Sequence, residues 1–354
     1  MRLRSLGSWC AGGALVLALA VPSLAGSDGI RWDPGNGLTA PHGFWLAGDL
    51  TWQVDRLEHE PAQLELKDVS LLTRWDASDR LSFFGEIRLD DAITFENGKG
   101  AESGEWDLTV ERLYAEALLT PALTLRVGEV YTPFGLWNVV RRAPLTWTTE
   151  RPAITESVFP EHATGLSLLY QATWHGWSID ATTYGPAQDK LSSRGADPDE
   201  LPETGLMFGG RAAAGHALGS AFLSVGLNAL GFRPRGWSGW GTVTGADLDL
   251  TVGGHHVTGE FTFRISPDGR VTRQGLYLQD VIPLTPLVPV VHELYGVLRF
   301  EEFQQGHGPT GVGGLVGLWW RPIPPVVLRT DYFFTNRTLA HFEPGFKAAV
   351  SFMF

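Results

Sequence analysis

Residues Phe346 to Phe354 alternate strictly: Phe346, Ala348, Val350, Phe352 and Phe354 fall on one face, and Lys347, Ala349, Ser351 and Met353 on the other. A period of two with one wholly apolar face and an aromatic at its end is the pattern of a closing strand in a membrane β-barrel. In a soluble protein this strand needs a second layer to cover it. In a bilayer the lipid covers it, so the upstream chain is expected to supply more strands of the same kind.

The other end of the chain agrees. Met1 to Arg4 is basic, Ala14 to Val21 is apolar, and Ser23-Leu24-Ala25 offers small residues where a signal peptidase reads. Residues 1–25 are therefore expected to be a secretory signal cleaved after Ala25, with a short N-terminal segment at 26–41 and a barrel at 42–354. The apolar run is shorter than the roughly 20 residues of a spanning helix. Cys10, the single cysteine, leaves with the signal, so disulfide and thiolate chemistry are not expected. Expected partners are outer-membrane lipids and lipopolysaccharide, the barrel assembly machinery through Phe354, and small solutes or ions.

With 44% hydrophobic residues, the mean hydropathy lies near zero, because the two faces of a barrel average out. The 43 glycines and 14 tryptophans say more, since many hairpins in a membrane consume turn residues and interfacial aromatics. A formal charge of −12 argues against nucleic acid as a partner.

Alternation marks about sixteen strands, at 42–54, 62–75, 80–90, 106–118, 122–130, 163–174, 176–185, 206–217, 219–231, 242–252, 255–266, 271–281, 289–301, 311–321, 325–335 and 345–354. Merging or missing one hairpin would give about fourteen or eighteen. In the first strand Trp45, Ala47, Asp49, Thr51 and Gln53 should face inward. In the eleventh the inward set should be Thr258, Glu260, Thr262, Arg264 and Ser266. From a periplasmic start, odd connections should be long and external and even ones tight. Residues 267–270 are short for an external loop, and 282–288 are long for a turn.

The longest connection, 131–162, contains Tyr131-Thr132-Pro133-Phe134-Gly135-Leu136-Trp137, Arg141-Arg142, Glu150-Arg151-Pro152 and Phe159-Pro160-Glu161-His162. Its aromatics and prolines favour an ordered loop, folded into the barrel to narrow it, over a disordered one. The alternative is a lid on the rim or against a neighbouring subunit. Leu125-Arg126-Val127-Gly128-Glu129-Val130-Tyr131-Thr132-Pro133-Phe134-Gly135-Leu136, with Arg151-Pro152 and Gly165-Leu166-Ser167, resembles the porins related to phosphate-selective porins O and P. The first strand, Phe44 to Leu50, and Phe354 are similar to that family's ends. The resemblance implies a sixteen-stranded, trimeric barrel that passes small solutes by diffusion, without catalysis or cofactor.

Phosphate selection calls for a ladder of cations. The only lysines are Lys67, Lys99, Lys190 and Lys347, none of them in the loop. The constriction is expected to hold Arg126, Arg141, Arg142 and Arg151 facing Glu150, Glu156 and Glu161. The inward phase of the wall holds Asp49, Glu86, Arg88, Asp90, Asp107, Glu111, Arg126, Asp180, Asp247, Asp249, Glu260, Arg264, Glu293, Arg299, Glu301, Arg329 and Asp331. Acids outnumber arginines there, so a weak cation preference is expected, with an oxyanion-selective channel as the alternative. Paired charges that only fix barrel shape are the plainer reading of any one couple. The awkward Arg112-Leu113-Tyr114 passage suggests a bulge.

Other features carry less. His255-His256 lacks further ligands at metal spacing, so no metal is expected. Asp189, Asp197, Asp199, Glu200 and Glu203 form an acidic loop that could bridge divalent cations to lipopolysaccharide, though a solvated loop is the ordinary reading. Tryptophans at strand ends, among Trp137, Trp147, Trp174, Trp177, Trp237, Trp240, Trp319 and Trp320, are candidates for interfacial girdles. An enzyme or adhesin using the barrel as a platform is the reading from another class.

Overall fold

The computed structural model describes residues 29–97, 100–103, 107–189, 204–288, 291–306, 308–336 and 343–354. The expected signal peptide and most of the acidic loop lie outside the described residues.

Among the described residues, nineteen strands form one antiparallel sheet. A short hairpin, β1 (Arg31–Asp33) and β2 (Gly37–Ala40), leads into β3 (Phe44–Leu57), β4 (Gln63–Ser78), β5 (Leu81–Glu96), the short β6 (Gly100–Ser103) and β7 (Asp107–Thr120). Then come β8 (Leu123–Tyr131), β9 (His162–Trp174), β10 (Trp177–Gln188), β11 (Thr204–Leu218), β12 (Ala221–Pro234) and β13 (Gly241–Val252). The rest are β14 (His255–Ile265), β15 (Val271–Pro283), β16 (Leu294–Gln305), β17 (Gly311–Ile323), β18 (Val326–Thr335) and β19 (Gly345–Met353). Sixteen of these form a closed barrel, each beside its sequence neighbour, with β19 returning to pair with β3 from Gly345↔Leu57 to Met353↔Asp49. The hairpin β1–β2 and the short β6 carry no alternation long enough to announce them and were not expected.

The burial pattern is inverted relative to a soluble sandwich. Leu227 is 67% exposed and Leu108 57%, while Asp49, Glu86 and Arg329 are at most 2% exposed. Outward apolar and inward polar side chains alternate because the pleat sends successive residues to opposite faces. The inward sets expected on β3 and β14 are buried as read: Asp49, Thr51 and Gln53 on one, Thr258, Glu260, Thr262 and Arg264 on the other.

Connections separate into two ends. At one end most links are two-residue turns, such as His175-Gly176 and Gly253-Gly254, both with positive φ at each position, the geometry that matches strand twist. The exception is 284–293, between β15 and β16. There the expected strand 289–301 is corrected to Leu294–Gln305: Glu293 sits in the connection at φ +45°, paired with Arg321 at the rim. The left-handed Glu293 interrupts the extended run just before Leu294, and residues 289 and 290 lie outside the described residues.

The expected bulge exists one residue earlier than read. Glu86 pairs with Arg112 and Ile87 with Val110, leaving Glu111 as the extra residue of β7. Lys67 is extra in β4, between the partners of Thr51 and Trp52. Such insertions turn two adjacent side chains toward one face.

Candidate functional site

The segment 132–161 folds inward. Its first turn explains the Thr-Pro-Phe-Gly motif. Phe134 is fully buried, packs against Phe159 with tilted rings 4.5 Å apart, and joins Ile154 and Val158 in a cluster with Met207, Leu230, Phe232, Val243, Tyr277 and Phe303 of the wall. Gly135 adopts φ +67°, and a Cβ there would fall on Glu260 Oε2. Its N–H donates to Asn228 Oδ1 at 2.9 Å. Glu260 Oε1 accepts from the N–H groups of Leu136 (3.0 Å) and Trp137 (3.2 Å) and from the Tyr277 hydroxyl (2.8 Å). One carboxylate on β14 therefore holds the loop's first turn.

The rest of the loop is pinned from β16 round to β3. Arg142 donates to Asp49 at 2.8 Å. Arg329 reaches Thr146 Oγ1 (2.7 Å) and the Thr148 carbonyl (3.1 Å), and Arg299 reaches Thr148 Oγ1 (3.1 Å) and the Glu150 carbonyl (2.9 Å). Asp331 accepts from the Thr149 N–H and Glu301 from that of Ala153, the first residue of a short helix α1 (Ala153–Ser157). Lys347 bridges Glu150 (2.6 Å) and Asp55 (2.9 Å). Burial works to raise the Glu150 carboxyl, but Lys347 and Lys67 outweigh it, and the group sits below its ordinary range. Glu161 is likewise lowered against burial, by Arg141 first.

Beside this pinned face lies a cavity of about 300 Å³, between 141–151 and the inner faces of β3, β4 and β5. Its lining includes Arg141, Arg142, Glu150, Arg151 and Arg329, with Lys67, Asp68, Glu86, Arg88, Asp90 and Asp91 from the wall. Lys67 and Asp91, an ion pair at 3.8 Å, are the most exposed charges of this lining, their side chains 40% and 47% exposed. Both stand at bulges, and the sequence reading did not place them in the lumen; a polar insertion disturbs no apolar pattern, so it leaves little trace.

The expected constriction set is only partly assembled. Arg141, Arg151, Glu156 and Glu161 form one ion-pair cluster, and Arg142 and Glu150 stand nearby on the loop. Arg126 is elsewhere, toward the turn end of β8, paired with Glu116 at 2.6 Å and lying over the Tyr114 ring. It was included because it abuts the motif; its neighbour Gly128 takes φ +135° where a Cβ would strike the Leu113 carbonyl, which is why that glycine stands there. Of the wall residues, Asp247 holds Arg211, Arg88 holds Asp90 and Glu111, Arg112 holds Glu86, and Arg264 donates to the Val158 carbonyl. Asp249 pairs with His256 near the turns, Asp180 accepts from Gln171, and Asp107 opens β7 opposite Asp90. Trp137, Trp147 and Trp319 are not girdle residues: they pack inside, with Trp147 5.1 Å from Trp319. Trp174, Trp177, Trp237, Trp240 and Trp320 are exposed.

No family model matches the chain, and no curated protein matches it. Solved structures do. A loop L8 deletion mutant of OmpT, an outer membrane protein of Vibrio cholerae, superposes with a TM-score of 0.58 at 12% identity, over 88% of this chain and 99% of that one. Salmonella typhi OmpF in complex with daunomycin gives 0.55 at 10% identity, over 92% and 98%. An anion-selective porin from Comamonas acidovorans gives 0.51 at 12% identity, over 88% and 98%. At these identities the likeness concerns architecture, and the chain has the fold of the outer-membrane porin barrels.

Proposed function

We propose that this chain is a passive diffusion channel of the bacterial outer membrane, exported with residues 1–25 as a cleaved signal and assembled as a homotrimer. It admits small hydrophilic solutes or ions, with a weak cation preference, and performs no catalytic step. The observation that carries this reading is the inward loop: it is fixed to the wall of a closed barrel and leaves a charged, polar cavity beside it. Mixed charges facing across such a gap set a transverse field that passes hydrated solutes while rejecting apolar ones. The trimer rests on the resemblance to the phosphate-selective porin group, beside the trimer form described for OmpT of Vibrio cholerae.

A second reading has its own support. Lys67, Arg88, Arg141, Arg142, Arg151 and Arg329 all border the cavity, a set able to hold an oxyanion. Single-channel current in a planar bilayer, with reversal potential under a salt gradient and then added phosphate, separates the two. Discrete steps with cation preference and no phosphate block support the general channel. Anion preference with block moves the assignment to the oxyanion channel, and inserted protein without current points to a barrel used as a platform.

A further inference from the structure

The neck of the inner loop, where Tyr131 leaves β8 and Glu161 leads into β9, gathers three metal-ligating side chains that conduction does not require. Glu111 on β7, Glu161 in the loop and His162 at the start of β9 each present a donor atom, all within 4.8 Å of one another. His162 is 1% exposed, and neither ring nitrogen makes a hydrogen bond among the described residues. Its Nε2 faces Glu111 Oε2 at 3.5 Å and Glu161 Oε1 at 4.0 Å. Nδ1 has no partner among the described residues, a cost for a purely structural histidine, and one imidazole with two carboxylates is a donor set suited to zinc.

The surroundings orient these donors. Tyr131 donates to Glu111 Oε2 at 2.9 Å, and Arg88 holds Glu111 Oε1 at 3.1 Å. Arg141 lies on Glu161, but also reaches Glu156 at 3.5 Å and Asn138 Oδ1 at 2.7 Å. We infer that the neck binds one divalent ion of the zinc type through Glu111, Glu161 and His162. An ion about 2.0–2.2 Å from each donor draws the triangle inward, and Arg141 then yields Glu161 while keeping Glu156 and Asn138. The bound ion ties β7 to the loop's return, closing the neck. Two arginines nearby repel a cation, so binding is weaker than at an all-thiolate site. The inference rests on the neck alone and stands whether or not the barrel conducts.

The test is calorimetric titration of the refolded barrel with zinc chloride, with metal content and unfolding temperature measured in parallel. One zinc per chain and a raised unfolding temperature are expected, with His162→Ala and Glu111→Gln each weakening binding about tenfold or more. A double His255→Ala, His256→Ala variant should bind as before. Absence of zinc, unchanged binding in folded His162→Ala or Glu111→Gln, or loss in the double surface variant would each overturn the proposal. Should His162→Ala fail to fold, the nearly isosteric Glu111→Gln decides.

Discussion

The inner wall from β12 to β19 and the inner wall from β3 to β5 carry similar residues to different ends. On the first, Glu260, Glu301 and Asp331 each accept from a loop backbone N–H, and Arg264, Arg299 and Arg329 donate to loop carbonyls. Those charges are spent on anchoring, and of them only Arg329 borders the cavity. On the second, Lys67, Arg88, Asp90 and Asp91 border the cavity and keep part of their surface in water. Formal charge along a pore wall is therefore a poor guide to its field. What counts is which groups the loop leaves uncovered.

Removing the loop should break this contrast most severely. Deleting Val139 to Thr149 is expected to raise single-channel conductance several-fold and loosen size exclusion; unchanged conductance would show that the narrowest section lies elsewhere. Next in size is Glu260→Ala, which strands two loop N–H groups and the Tyr277 hydroxyl. A loss on the order of 2 kcal/mol or more is expected in denaturant unfolding, with noisier current. Lys67→Ala should move the reversal potential toward cations. That shift should shrink at high salt, as the Debye length falls from about 10 Å at 0.1 M to about 3 Å at 1 M.

The smallest effect concerns acid. The depressed Glu150 carboxyl contributes stability that is complete above its unfolded value and is lost only as pH falls through its lower folded one. Conductance should hold as pH falls to about 4.3, the usual glutamate value, and change below it. Lys347→Met should move that change to higher pH.

The sixteen barrel strands were legible because each has a lipid face, and a one-residue slip there would expose a polar side chain to hydrocarbon. The loop's inward course could be read from Phe134, Trp137 and Phe159, aromatics too costly to leave in water. The bulge at Lys67 could not, since an extra polar residue among polar neighbours changes no pattern, whereas the one at Glu111 showed one residue away in the broken alternation at Arg112-Leu113-Tyr114. Nor could the anchoring of Asp49 by Arg142 or of Asp331 by Thr149, which are contacts between segments remote in sequence. Arg126 shows the opposite error: adjacency to a motif in the chain placed it at the loop, while the strand carried it toward the turns.

Lys347 joins two matters that are usually told apart. Its ammonium touches Asp55 across the β19–β3 boundary and Glu150 on the loop, and close by Thr51 meets Ser351, which accepts from Arg329. The loop's seat thus straddles the seam where the two strands that complete the cylinder meet. It cannot be finished until that seam has zipped, and once occupied it bolts the seam shut. In the order of assembly, circularising the sheet and installing the eyelet become a single late event, and lateral opening of the wall would have to unseat the loop first.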